Sequence, residues 1–188
     1  LTKYHPGLVS ITGKTANYKV GFFRYSKNTD EIMRLGGGSD GIKNFIIYYA
    51  DLMKRYRFAP LSYPVILLID NDSGAKEIFS VLNGSRFKTI VAKAVNLKAA
   101  HAYYYLGQNL YLIKTPEVAT GDGMSCIEDL FDPAVRAITI DGKKFNPEKG
   151  MNPAVEFGKV VFAEKIIRPN ADKISFAKFE NLIDRIVA

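Results

Sequence analysis

Pro64-Val65-Ile66-Leu67-Leu68-Ile69-Asp70-Asn71-Asp72 is the stretch whose reading decides the fold. Its five consecutive aliphatics are too few to cross a membrane and too uninterrupted for a strand with one wet face. They predict a strand buried on both faces in the middle of a parallel sheet. The end of such a strand opens on the crevice at the carboxyl edge of the sheet, where α/β proteins place ligands. The residues delivered there are Asp70 and Asp72.

Two carboxylates at i and i+2 project to one side if the strand continues. Their repulsion is relieved by a divalent cation, and hard oxygen ligands favour Mg²⁺ or Mn²⁺. The same residues have a plainer use, with Asp70 ending the strand and Asp72 or Ser73 capping the helix that follows. The spacing alone leaves both uses open.

The chain of 188 residues is 47% hydrophobic, enough for a real core, and a single domain spanning 1–188 is expected. No apolar run reaches membrane-spanning length and the amino end shows no basic-then-apolar leader, so a cytoplasmic protein without membrane contact is expected. The sole cysteine, Cys126, has no partner for an internal disulfide, and His5 and His101 stand apart with no zinc-type ligand cluster around them. A net charge of +7 suits a polyanionic partner such as nucleic acid.

Outward from the central stretch, the chain offers two phosphate-binding patterns that fail on register. Gly13-Lys14-Thr15 resembles the end of a P-loop, but the first glycine of that motif belongs at position 8, which is Leu8. Lys14 is then either near a phosphate or metal site or a turn lysine in solvent. Gly36-Gly37-Gly38-Ser39-Asp40-Gly41 contains G-x-G-x-x-G, yet the nearest acid at a strand end is Asp70, too far on for a dinucleotide fold. A flexible strand-to-helix turn is the better account.

The clearest helix follows, with Ile42, Phe45, Ile46, Tyr49, Leu52, Met53 and Tyr56 at helical spacing and Ser39 or Asp40 as cap. Its basic end, Lys54-Arg55-Tyr56-Arg57, complements the helix dipole or contacts phosphate. A second helix is expected over Ala75–Leu82, and further strands over 88–95 and 110–114. The order of elements argues for a mainly parallel sheet flanked by helices. Tyr103-Tyr104-Tyr105 reads as a strand fragment at a sheet edge in preference to a base-stacking site.

Ser125-Cys126-Ile127-Glu128 has the form of a capping box, which by itself accounts for Glu128. Glu128, Asp129 and Asp132 nevertheless cluster within a turn and a half, able to complete an acidic metal site. A polar turn is expected at Asp141-Gly142-Lys143-Lys144. Asn152-Pro153 then predicts a helix from Pro153 to about Ile167, in which Lys159 sits beside Glu156 as a surface pair. A last helix is expected over Phe176–Val187.

Taken together, a strand running into G-K-T, a glycine-rich turn before a helix, a buried strand ending D-x-D and a later C-I-E-D-L-F resemble a Toprim domain, the catalytic fold of topoisomerases, bacterial primases and OLD-type nucleases. In finer detail the chain from Phe22 onward resembles the carboxyl-terminal extension of certain long retron-type reverse transcriptases. The likeness lies in F-F-R-Y (22–25), L-G-G-G-S-D-G-I-K-N-F-I (35–46), L-I-D-N-D-S-G-A-K (68–76), Y-L-I-K-T-P (111–116), S-C-I-E-D-L-F (125–131) and G-K-V-V-F-A-E-K-I-I-R-P-N (158–170).

The resemblance implies a three-layer Toprim-like fold with a mainly parallel central sheet and a carboxyl-terminal helical extension. It implies Mg²⁺ or Mn²⁺ at Asp70 and Asp72, with Glu128 as the downstream acid (Asp129 is a weaker candidate) and Lys159 as the lysine near the scissile phosphate. The activity implied is that of a metal-dependent nuclease in anti-phage defence, acting on DNA in preference to RNA. Its partners would be a reverse transcriptase domain, retron non-coding RNA and DNA, and an associated ATPase. The alternative is a catalytically degenerate module that binds nucleic acid or docks the ATPase.

One position departs from the family. A Toprim first strand ends in Glu-Gly, whereas Thr12 precedes Gly13 here, and too few residues follow for the helix that joins parallel strands. Either the copy is degenerate or a segment between Ser10 and Val20 is missing. The need for a crossover favours the missing segment.

Overall fold

The computed structural model describes residues 9–12, 15–18, 38–55, 63–85, 87–88, 90, 96, 101–117, 123–148 and 150–188. In chain order the first elements are β1 (Val9–Thr12), β2 (Thr15–Tyr18), α1 (Gly38–Arg55), β3 (Val65–Ile69), α2 (Ser73–Leu82), β4 (Tyr104–Gly107) and β5 (Leu110–Lys114). A 3-10 turn (Ile127–Leu130), α3 (Pro133–Arg136), β6 (Lys144–Phe145) and β7 (Glu156–Phe157) follow. The chain closes with α4, which starts at Lys159–Val161, and α5 (Glu180–Val187).

The sheet that organises the molecule has the order β3-β5-β4. β3 runs parallel to β5, from Val65 opposite Leu110 to Ile69 opposite Lys114, while β4 is antiparallel to β5. The architecture is therefore α/β, but the described sheet is mixed, and β5 is its middle strand in place of β3. Leu68 is accordingly more than a third exposed. The expected strand over 88–95 lies almost wholly outside the described residues, and Lys88 and Ile90 are in turns. The β4–β5 connection explains the tyrosine run: Gln108 and Asn109 both take positive φ (52° and 65°), the two-residue hairpin geometry, and Tyr104 opens the edge strand.

Strand alternation sorts the side chains onto two cores. On one face Leu67, Ile69, Leu106, Leu110 and Leu112 pack with Ile46 and Tyr49 of α1 and Ala75, Ile78 and Leu82 of α2. On the other, Ile66 and Ile113 meet Leu130 of the 3-10 turn and Leu182 and Ile186 of α5. Helices thus cover both faces. A third cluster, Phe131, Phe157, Phe162 and Ile166 with Phe145 and Phe176 around it, joins the second through Phe179.

Three expectations change. β1 and β2 form an antiparallel hairpin with Thr12 opposite Thr15, so no crossover helix is needed between them. Ser39 and Asp40 lie inside the first turn of α1 instead of capping it: Ser39 donates to Glu77, and Asp40 pairs with Lys43 at 2.6 Å. The helix expected from Pro153 begins only at Lys159.

The cap signal of Asn152 is obeyed locally. Its carbonyl accepts the amides of Val155 and Glu156, its side chain accepts that of Ala154, and Glu156 accepts the Asn152 amide at 2.6 Å. That single turn does not propagate. Glu156 and Phe157 are drawn into a parallel pair with Lys144 and Phe145, because Phe157 belongs to the aromatic cluster. After Gly158 the chain winds as α, then π (Phe162–Ile167), then 3-10 (Arg168–Asn170).

Candidate functional site

β3 ends at the carboxyl edge of the sheet, and a buried polar node holds the chain beyond it. Asn71 forms a two-way backbone bridge with Ser125, at 2.8 Å each way. The hydroxyl of Thr115, just past β5, accepts the Asn71 amide at 2.9 Å and lies 2.9 Å from both the carbonyl and the hydroxyl of Ser125. Ser125 in turn donates to the Pro116 carbonyl at 2.6 Å. Thr115 and Ser125 are both buried, so these groups have no water to fall back on. Thr115→Val is expected to cost about 2 kcal/mol by leaving buried partners unpaired, read as a lower urea midpoint at unchanged m-value.

The Asn71 side chain points away from the site, donating to Gly123 at 3.1 Å and accepting from Lys114 at 3.3 Å. That orientation leaves its neighbours, Asp70 and Asp72, to the cleft. Asp70 Oδ1 accepts the Ile127 amide at 2.9 Å, and Oδ2 faces Lys159 Nζ at 3.5 Å. Asp72 is the N-cap of α2, its Oδ1 accepting the Ala75 amide at 3.1 Å. Asp72 thus takes the capping use, while Asp70 faces Lys159.

Ser125, committed to the buried node, does not cap the 3-10 turn. The cap is Cys126 and the box is closed by Asp129, which accepts the Cys126 amide at 2.9 Å and the Arg136 guanidinium at 2.6 Å. This shift of one residue frees Glu128 from the capping role that its sequence position suggests. Glu128 is instead buried, with Lys159 Nζ 2.9 Å from its Oε2. The contact is an ion pair. Asp129 lines the same cleft but is paired with Arg136, and Asp132 pairs with Lys178 at 3.1 Å.

Lys159 reaches the site because α4 starts at it. Glu156, its expected surface partner, is held by the Asn152 turn, and the lysine bridges two carboxylates from β3 and the 3-10 turn. Burial acts to lower its pKa, but contact with Glu128 and the charges of Glu128 and Asp70 outweigh that and hold it above the ordinary lysine value. Its charge therefore persists through neutral pH. With a folded-state pKa above the unfolded one, this stabilising contribution is complete below about pH 10.5 and is lost as pH rises further.

Asp70, Asp72, Cys126, Glu148 and Lys159 line one open cleft of about 1070 Å³, with Ser39 at the start of α1 and Ser73 and Gly74 at the start of α2. Glu148 was not singled out by any sequence pattern. Nor were Thr115 and Asn71, and Ser125 was singled out only as a cap, not for the buried node it joins. The Thr115-Pro116 pair directly after an apolar strand was the only local hint of the node. Lys14 lies outside the described residues.

The fold and site define a class: an α/β protein with a lysine-bridged carboxylate pair at the carboxyl edge of a parallel strand pair. No protein-family model matches the chain, and no solved structure matches it. Among the described residues, no helix is long and apolar enough to cross a membrane.

Proposed function

We propose that this chain is a Mg²⁺- or Mn²⁺-dependent nuclease of Toprim type, hydrolysing phosphodiester bonds of DNA, that belongs to a retron-type reverse transcriptase and serves in anti-phage defence. The observation that carries the reading is the convergence of Asp70, Glu128 and Lys159, the first and last 89 residues apart, at the carboxyl edge of the sheet. Helices on both sheet faces support the three-layer arrangement, and the net charge of +7 supports a nucleic acid substrate.

The donor set fits a hard cation. Two carboxylate oxygens face one ammonium, Asp70 Oδ2 at 3.5 Å and the buried Glu128 Oε2 at 2.9 Å, and Mg²⁺ is commonly held by one or two carboxylates plus water. Among the described residues no group of three metal-ligating side chains converges, so Asp72 would join only by leaving its cap. Asp70 and Glu128 would hold the ion, which supplies Lewis-acid activation of water and neutralises phosphate charge. Asp70 is oriented by the Ile127 amide, and Glu128 is fixed by burial. Lys159 brings a positive charge to the cleft for the scissile phosphate.

A second reading has its own observation. β1 is Val-Ser-Ile-Thr and carries no carboxylate, which favours a degenerate module binding nucleic acid or docking an ATPase. Plasmid and single-stranded DNA incubated with the protein and Mg²⁺ or Mn²⁺ should be cut, and EDTA should stop it. Salt-sensitive DNA binding without cleavage at any metal concentration would establish the second reading instead.

A further inference from the structure

Lys159 stands where a cation between Asp70 and Glu128 would stand. Its Nζ is 3.5 Å from Asp70 Oδ2 and 2.9 Å from Glu128 Oε2, the same two oxygens assigned above to a metal. The neighbouring cations are engaged elsewhere: Arg136 with Asp129, and Lys114 with Asn71 and Glu117. Lys159 is therefore the cation that offsets Glu128, whose side chain is only 9% exposed.

The arrangement is built for exchange. Two carboxylates with one ammonium keep a net negative charge, which a single divalent ion neutralises fully. Ammonium and divalent ion together would crowd like charges into a half-buried site. The lysine is 41% exposed on a flexible four-carbon stem at the first turn of α4, so it can leave its partners without moving the helix.

We infer that Lys159 and the divalent cation compete for Asp70 Oδ2 and Glu128 Oε2, so that cation entry releases the ammonium into the cleft, where it meets an anionic substrate. Lys159 is thus an internal stand-in for the metal that keeps the carboxylate pair balanced at rest. The inference rests on the metal reading given above, and the test separates the two.

Mn²⁺ binding is measured by the loss of the free-ion electron paramagnetic resonance signal on titration with the intact chain. Wild type should bind, and Lys159→Met and Lys159→Gln should each bind at least about tenfold tighter, whereas Lys159→Arg should not. Adding Asp70→Asn to Lys159→Met should remove the gain. Thermal melting of each variant with and without Mn²⁺ verifies folding, and the ion should raise the melting temperature of the two neutral variants more than that of wild type. Equal or weaker binding by both neutral variants, with Asp70→Asn still abolishing it, overturns the competition and leaves the metal site standing. Absence of binding in every form at millimolar Mn²⁺ overturns the metal site and the competition with it.

Discussion

On the proposed function, Asp70→Asn is expected to reduce metal-dependent DNA cleavage by at least about 10³-fold while the protein stays folded. The substitution is nearly isosteric, and the amide oxygen of Asn still accepts the Ile127 amide that Asp70 Oδ1 accepts at 2.9 Å, so the 3-10 turn keeps its anchor. What is lost is the charge on Oδ2, which faces Lys159 at 3.5 Å and would face the cation. Asp72→Asn should be much milder, because Asp72 caps α2 through Oδ1 and Asn is an equally good cap. Initial rates of plasmid nicking with both variants, normalised to folded protein by circular dichroism, test the pair. Cleavage by Asp70→Asn at the wild-type rate would remove the nuclease from this site.

Cys126 is expected to react with a thiol reagent such as DTNB on the order of 10³-fold more slowly in the native protein than in the urea-unfolded chain at pH 8. Burial is the first cause, and the neighbouring carboxylates of Glu128 and Asp129 add to it; together they push the thiol up to about 12. Its Sγ lies 3.2 Å from Asp129 Oδ2 as a donor, an arrangement that needs the proton. The native rate should climb with pH up to about 12, while that of the unfolded chain levels off near the ordinary value of 9.0. Because the folded-state pKa is the higher one, the thiol's contribution to stability is intact below pH 9.0 and falls as pH rises toward 12. Lys159 loses its contribution in the same alkaline direction, so the urea midpoint should drop steeply there. A thiol held protonated in this way is a poor nucleophile, although Cys126 lines the cleft.

Which parts were legible depends on whether the signal was local. The Asp141-Gly142 turn is read from two adjacent residues and is found with positive φ at both. The helical spacing of Ile42 to Met53 gives α1, with Ile46 and Tyr49 buried on its inner face. Asp72 as cap and Ala75, Ile78 and Leu82 as the buried stripe of α2 are equally local. The misreadings arise where a local signal was correct but overruled. Asn152-Pro153 does open a helical turn, and the aromatic cluster then takes Phe157 out of it. Ser125 has the chemistry of a cap, and the hydroxyl of Thr115 claims it for a buried node.

The sequence by itself determined that an apolar β-strand delivers Asp70 and Asp72 to a sheet edge, since a five-aliphatic run with a capping aspartate after it has few other ways to fold. Glu128 was pointed to by its cluster with Asp129 and Asp132 and by the resemblance to Toprim nucleases, and Lys159 by that resemblance alone. Only the tertiary structure decided that Asp70, Glu128 and Lys159 meet while Asp72, Asp129 and Asp132 are spent on a cap and on ion pairs. The physical reason lies in two small displacements: a cap shifted by one residue, which frees Glu128, and a helix begun several residues late, which turns Lys159 from a surface partner of Glu156 toward the sheet edge. Both are set by long-range competition for hydrogen bonds and core positions, which no window of sequence contains.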